Sequence, residues 1–347
     1  MLDSLSSLTL SIIFVVAAAI VWFAGIRLSD TTDTLSRRFN LGQALGGIIV
    51  LAVVTNLPEI AITISAAMSN QLELAIGNIL GGVALQTVVL VILDAIGVGK
   101  EHTLTSRQTS LTPVLEGLLV MAMLTIVIMG HQLPPQLILA RVTPAGCLLL
   151  LVWISGVYLI GKARTGLPWQ LKGTQPAKPN QQSLSAGASL PTTARSLVIF
   201  TLASLATLAG GFALEESGQA IAGRIGMSGV VFGATVLAAA TSLPEVATGL
   251  ASVKLKAYSL AVSDIFGGNA FLPVLFPLAV LISGKAVLPT AHKADIYLTG
   301  LAMLLTVVYL MGFVFRPTYQ LARMGLDSIV VLVVYAAGMI GLFFIAN

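Results

Sequence analysis

Charge is scarce in this chain: Lys, Arg, Asp and Glu make up 9% of its 347 residues, against 56% apolar side chains. Soluble globular domains carry about 25% charged residues, so that class is excluded. Cysteine occurs once, as Cys147, inside an apolar stretch. A lone cysteine permits no intramolecular disulfide and suggests neither a redox pair nor a thiolate metal cluster, and Cys147 is read as a small core residue. Histidine is nearly as rare, and His102, His131 and His292 all fall in or near loops. The net charge of +4 is spread over loops rather than gathered with aromatics into a patch, which argues against a nucleic-acid partner.

What the chain has in abundance is hydrophobic length. Its mean hydropathy is +0.97, and a bilayer core is crossed by roughly 20 apolar residues in a helix. About ten such runs are expected, at 8–27, 42–69, 72–98, 110–129, 135–160, 195–216, 228–252, 257–283, 293–315 and 326–346. The tail before the first run has no Lys or Arg, unlike a cleaved signal peptide, so that run is read as a retained helix. With ten spans, fourteen Lys and Arg residues fall on one side, including Arg37, Arg38, Lys100, Arg107, Arg316 and Arg323. Only Arg224, Lys285 and Lys293 fall on the other, and Arg141 sits inside the fifth span. The bias puts both termini outside the cytoplasm, and the expected location of this multi-pass protein is the plasma membrane. The connection 161–194, rich in Gly, Pro, Ser, Gln and Lys, then reads as a flexible cytoplasmic linker.

Two apolar runs share an unusual interruption, "TNLPE" at 55–59 and "TSLPE" at 241–245. Sliding the chain by 186 residues aligns 24–86 with 210–272 without a gap, and 18 of the 63 positions are identical. Five spans separate matching points, an odd number, so the second copy enters the membrane from the opposite face. The predicted architecture is an all-α polytopic membrane protein of about ten transmembrane helices in two inverted five-helix repeats, with helices 2 and 7 broken. Residues 1–160 form the first half, with a repeat core at about 42–98, and 195–347 form the second, with a repeat core at about 228–283.

A proline lacks the N–H donor and clashes with the carbonyl four residues back, so Pro58 and Pro244 leave backbone oxygens near Val54, Thr55, Ala240 and Thr241 without helical partners. Glu59 and Glu245 stand beside those breaks. Intramembrane carboxylates are costly and mark function, and two at symmetric depth strengthen that reading. The C-terminal end of the preceding half-helix carries partial negative charge, and Thr55, Asn56, Thr241 and Ser242 add side-chain oxygens, so a cation is the expected occupant. Oxygen-only ligation suits Ca2+ or Na+ rather than zinc or copper. In the following helix Asn78, Gly82 and Gln86 share one face, as do Asp264, Gly268 and Leu272 in the other copy. Asn78 and Asp264 either bind the ion or make an inter-helix hydrogen bond. Glu116, Glu215, Glu216, Asp94 and Asp295, near span ends, are expected to be interfacial or supporting groups.

The segments "GGIIVLAVVTNLPEIAITISAAMSNQLELAIGNILGG" and "FGATVLAAATSLPEVATGLASVKLKAYSLAVSDIFGGNAF" resemble the two α-repeats of the calcium/cation antiporter superfamily, sodium/calcium exchanger type. The helix count, outside termini and central linker fit that family too. The resemblance implies that Glu59 and Glu245 coordinate Ca2+, and that Thr55, Thr241, Asn56, Ser242 and the carbonyls of Ala52 and Ala238 line Ca2+ and Na+ positions. Asn78, Asp264 and Gln86 complete the expected metal set. Where the family commonly has G-S-N-I-x-[ND], this chain has Gly82 and Gly268 for the serines and Gln86 and Leu272 for the polar pair. Asp264 stands where the family usually has Asn.

The implied function is exchange of Ca2+ for Na+ across the membrane by alternating access, without enzymatic chemistry and without a cofactor, the partners being inorganic cations and the lipid bilayer. The lost hydroxyls keep a second coupling open, exchange of Ca2+ or another cation for H+. A buried pair of like charges is costly when empty and is relieved by Ca2+ at once or by Na+ or protons stepwise, which would make exchange obligatory. Spans 1 and 6 are expected to slide over a fixed core, eased by Gly25, Gly210 and Gly211. A channel would pass ions without an opposing gradient. An intramembrane hydrolase would need a catalytic group with no inverted twin, whereas these carboxylates come as symmetry mates.

Overall fold

The computed structural model describes residues 5–38, 53–98, 102–108, 110–165 and 193–346. The chain is all-α, with one minute hairpin. In order, α1 covers Ser7–Arg38, and a helical turn at 53–55 leads into α2, Leu57–Met68. Helix α3, Leu72–Ile92, runs on into a π-helical turn, Leu93–Val98; α4 is Thr112–His131 and α5 Pro144–Thr165. The second half has α6, Thr193–Ile225; α7, Gly229–Thr241, with a π-helical stretch at Gly233–Leu237; and α8, Leu243–Lys254. Helix α9, Tyr258–Phe271, passes through a 3-10 turn, Leu272–Val274, into α10, Leu275–Ser283. Then come α11, Lys293–Phe315, the antiparallel pair β1 Gln320–Leu321 and β2 Met324–Gly325, and α12, Leu326–Ala346.

Among the described residues eight helical spans are long and apolar enough to cross a membrane, and α7 with α8 makes a ninth, bent by 43°. The expected second span is described only from residue 53. Its earlier part, the carbonyl of Ala52, Lys100, Lys172, Lys178 and the linker stretch 166–192 lie outside the described residues. Residues 72–98 and 258–283 form the middle of the bundle, with 72% of their apolar windows buried, against 17% for α12 and 28% for α5. Helices apolar on all sides belong in an interior or against lipid, and these two groups divide accordingly.

Two expectations change. Helices α1 and α6 continue for 32 and 33 residues, well past the apolar runs ending at Arg27 and Leu214–Glu216. Hydropathy reports where the membrane-like solvent stops, whereas a helix stops only when its hydrogen-bond ladder does. Cys147 is exposed on the outer side of α5, not a core residue, because its apolar neighbours there face outward as well.

Glycines set the distances between the central elements. A Cβ added to Gly81 would stand 2.2 Å from Ala234 Cα, and one on Gly77 2.6 Å from the Val230 carbonyl oxygen, so α3 and α7 pack backbone to backbone. Helix α1 lies along α6, and each crosses one broken helix at its proline. A Cβ on Gly25 would meet Pro244 Cβ at 2.6 Å, and one on Gly211 would meet Ala61 Cβ at 2.7 Å and the Pro58 carbonyl at 2.9 Å. Both contacts obey the 186-residue offset, since Gly25 matches Gly211 and Pro58 matches Pro244.

Four of the five acids assigned to span ends are buried. Asp94, 1% exposed, accepts from Leu104 N, Gly325 N and Ser328 Oγ, all at 2.7 Å, and so ties the 102–108 loop to the α11–α12 hairpin. Asp295 forms a reciprocal capping box with His292 at the start of α11. Glu215 of α6 accepts from Ser65 Oγ of α2 at 2.6 Å. Glu116 is buried as well, while Glu216 is exposed.

Gly81→Val forces α3 off α7; overpacking of this kind costs about 1–3 kcal/mol, and we expect the unfolding midpoint in detergent to fall by several degrees. An unchanged midpoint would show that the two backbones are not in contact. Asp94→Ala strands two backbone donors and is expected to cost about 1–3 kcal/mol per buried unpaired group, read as faster proteolysis of the 102–108 loop; wild-type cleavage kinetics would contradict that role.

Candidate cation site

The two helix breaks are built alike. Asn56 and Ser242 sit at the hinges with φ −90°, ψ 18° and φ −83°, ψ 1°, and each is followed by Leu-Pro-Glu at the start of a new helix. The new helices begin with Ile60 N donating to the Asn56 carbonyl at 3.0 Å and Val246 N to the Ser242 carbonyl at 3.2 Å. Glu59 and Glu245 therefore lie in the first turns of α2 and α8, where the positive helix ends favour a carboxylate.

Asn and Ser are among the best N-caps because their side chains accept from the N2 or N3 amide. At both breaks the hinge side chain makes no such bond. Ser242 Oγ is buried with no partner, and Asn56 Oδ1 instead accepts from Gln86 Nε2 at 3.4 Å. Neither side chain is spent on capping its helix.

Glu59 and Glu245 are 0% and 2% exposed. All four of their carboxylate oxygens are buried, and among the described residues none makes a well-formed hydrogen bond, Thr241 being the hydroxyl that approaches Glu59. The two lie close enough to feel one another's charge, and Glu245 also feels Asp264. Thr241 lies beside Glu59, with its Oγ1 donating to the Ala238 carbonyl at 3.2 Å. That carbonyl also accepts from Ser242 N at 3.0 Å, so Ala238 O already serves two donors. Thr55 is buried at the first break.

Around this pair the two repeats differ. Asp264 is 7% exposed; its Oδ2 accepts from Thr248 Oγ1 at 2.8 Å and its Oδ1 is unpartnered. Its mate Asn78 is fully buried with neither Oδ1 nor Nδ2 hydrogen-bonded. A Cβ on Gly268 would stand 3.0 Å from Asn56 Nδ2 and 3.3 Å from Gln86 Oε1, and one on Gly82 would stand 3.2 Å from Leu272 Cδ1. Gly268 thus faces Gln86 of the first repeat and Gly82 faces Leu272 of the second, and a side chain at either glycine would crowd its neighbour. Nothing at the sequence level linked Gly268 to Gln86 or Gly82 to Leu272.

Thr248 and the Thr87–Asn269 pair, with Asn269 Nδ2 donating to Thr87 Oγ1 at 3.0 Å, were not singled out from sequence. Thr248 lies three residues after Glu245, on the same helical face, which is the one signal that pointed to it. Among the described residues no group of three or more His, Cys, Asp or Glu side chains converges to hold a metal. The donor set is instead two acids with unpartnered oxygens, hinge side chains and neighbouring hydroxyls, chemistry that fits a hard cation and not a soft one.

Comparison with known proteins identifies the family. The chain matches the family described as "Sodium/calcium exchanger protein" over residues 9–161 and 195–344. It is 25% identical over 293 residues to the inner membrane protein YrbG of Escherichia coli K12, covering 82% of this chain and 83% of that one. It is 26% identical over 274 residues to the putative antiporter CaxA of Alkalimonas amylolytica, covering 78% of each. Solved structures of the sodium-calcium exchanger NCX_Mj share the fold: one soaked with 100 mM Na+ and 10 mM Sr2+ superposes with a TM-score of 0.59 at 17% identity, covering 96% of this chain and 99% of that chain. Another, soaked with 2.5 mM Na+ and 0.1 mM Ca2+, gives 0.59, again at 17% identity. With most of its length matched, on both sides of residues 162–194, the chain belongs to the sodium/calcium exchanger protein family.

Proposed function

We propose that this protein is a secondary active antiporter that exchanges Ca2+ for Na+ across the plasma membrane, its two five-helix halves joined by a cytoplasmic linker and both termini outside the cytoplasm. The observation that carries the reading is the buried Glu59–Glu245 pair, whose four oxygens make no well-formed hydrogen bond among the described residues. An ionised carboxylate buried without partners costs several kcal/mol, and a divalent cation offsets both charges at once.

In this reading Glu59 and Glu245 bind Ca2+ from opposite sides, and Thr55, Thr241, Asn56 and Ser242 supply neutral oxygens. Asp264, Asn78, Gln86 and the carbonyls of Ala52 and Ala238 complete the cage or steady it. The empty pair resists crossing an apolar barrier, so reorientation requires Ca2+ or its counter-ions. Helices α1 and α6, which touch the breaks through Gly25 and Gly211, slide as a pair and expose the site alternately.

A second coupling, Ca2+ or another cation for H+, is favoured by specific positions. Gly82 and Gly268 offer no hydroxyl, and Leu272, fully buried against Gly82, offers no oxygen where a Na+ would be held.

Uptake of 45Ca2+ into proteoliposomes under imposed gradients tests the reading and separates the couplings. Sodium coupling gives uptake that follows an outward Na+ gradient and is indifferent to an outward H+ gradient; proton coupling gives the reverse. Uptake that ignores both, or proceeds with no counter-ion, would remove the antiporter reading. In detergent, Ca2+ is expected to raise the unfolding midpoint of the wild type, less so as the pH falls, because ligating carboxylates must be deprotonated. Glu59→Gln and Glu245→Gln should each abolish that shift and lower uptake at least tenfold; a variant that keeps the full shift would put the ion elsewhere.

A further inference from the structure

Next to the pair of glutamates lies a further carboxylate that the symmetry does not repeat. Asp264 on α9 is 7% exposed, and its matching residue in the first repeat is the neutral Asn78. The residue that bonds it, Thr248 on α8, has as its counterpart Ile62, which can donate nothing. A charged acid with a hydroxyl donor therefore exists on one side of the pseudo-twofold only.

The bond divides the two oxygens of Asp264 between two tasks. Oδ2 accepts from Thr248 Oγ1 at 2.8 Å, and Oδ1 is buried with no partner. Thr248 lies one turn after Glu245 on α8, and its Oγ1 also approaches the Glu245 carbonyl at 3.3 Å, so the donor is fixed to the turn that carries the glutamate. Joining α8 to α9 does not require a charge, because a neutral amide accepts the same hydrogen bond at a far lower desolvation cost. A buried carboxylate with one oxygen anchored and the other left open fits a group held out toward a cation. Glu245 is the acid that feels the charge of Asp264, so a cation bound at Glu245 is the one that Oδ1 would meet.

We propose that Thr248 is a positioning residue for the transported ion: by holding Asp264 Oδ2, it aims Oδ1 at the cation beside Glu245 and makes the second repeat the tighter side of the site. The inference rests on the antiporter reading and adds to it a residue that determines affinity. It also explains why one repeat can lack polar groups, as at Leu272, and still serve a shared site: the oxygens are distributed unequally and not removed.

The test is the Ca2+ dependence of 45Ca2+ uptake by the full-length protein in proteoliposomes, driven by whichever gradient drives the wild type. Thr248→Val keeps the shape and removes the hydroxyl. It should raise the KM for Ca2+ about tenfold and leave the maximal rate within about twofold, in line with loss of one hydrogen bond to a charged group. Thr248→Ser should restore the wild-type KM. Asp264→Asn, which can still accept from Thr248, should raise the KM at least as much. The double variant Thr248→Val with Asp264→Asn should be no worse than Asp264→Asn alone, because the hydroxyl acts through the carboxylate. If Thr248→Val fails to fold, Asp264→Asn decides alone: a wild-type KM overturns the proposal. So do an unchanged KM in Thr248→Val, a reduced maximal rate at constant KM in both Thr248 variants, or additive losses in the double variant. In each of those cases wild-type uptake is intact and the antiporter reading survives; a wild type that takes up no Ca2+ removes that reading and this inference together.

Discussion

Two carboxylates are buried near one another in the middle of an apolar bundle with no ion-pair partner among the described residues, and much of the surrounding structure follows from keeping them there. A buried ionised acid is tolerable only beside compensating charge or donors. Glu59 and Glu245 have the N-terminal ends of α2 and α8 for partial compensation. Those ends exist at mid-span because Pro58 and Pro244 cannot continue the preceding helices. The hinge residues Asn56 and Ser242 then forgo the capping bonds their side chains usually make, leaving oxygen around the acids and not behind them.

The same two breaks carry the contacts through which movement would act. Gly25 against Pro244 and Gly211 against Pro58 bring α1 and α6 to within backbone distance of the helices that bear the acids. Glycine is needed here for close approach, not for unusual backbone angles. The contacts are not wholly equivalent, because Glu215 binds Ser65 on one side, while their counterparts are Ser29 and Ala251. Helix α6 is therefore fastened to α2 by a buried hydrogen bond that the corresponding positions of α1 and α8 cannot make.

Asymmetry extends into the site. An inverted duplication begins with two equal sets of polar residues, and here the two sets are no longer equal. Gln86 reaches Asn56 across the space left by Gly268, and Leu272 fills the space left by Gly82, so each loss of a hydroxyl comes with a larger side chain opposite. Asp264 with Thr248 returns oxygen and charge on the side where Leu272 removed them. The donor set of this chain is better described as redistributed than as depleted.

The sequence by itself determined the solvent, the helical class, the duplication and the pair of acids. Hydrophobic length, a constant 186-residue offset and a proline beside a glutamate are local signals that need no knowledge of packing. It also located the breaks, because the effect of proline on a helix acts over four residues. Helix ends were less legible, as α1 and α6 show, since a hydropathy pattern marks the edge of the apolar medium and not the end of hydrogen bonding. Only the tertiary structure decided that Cys147 faces outward, that Asp94 unites three segments, that Gly268 makes room for Gln86, and that Thr248 holds Asp264. The reason is physical: each of these depends on which side chains from distant parts of the chain share a few cubic ångströms, and the offset along the sequence carries no information about that distance.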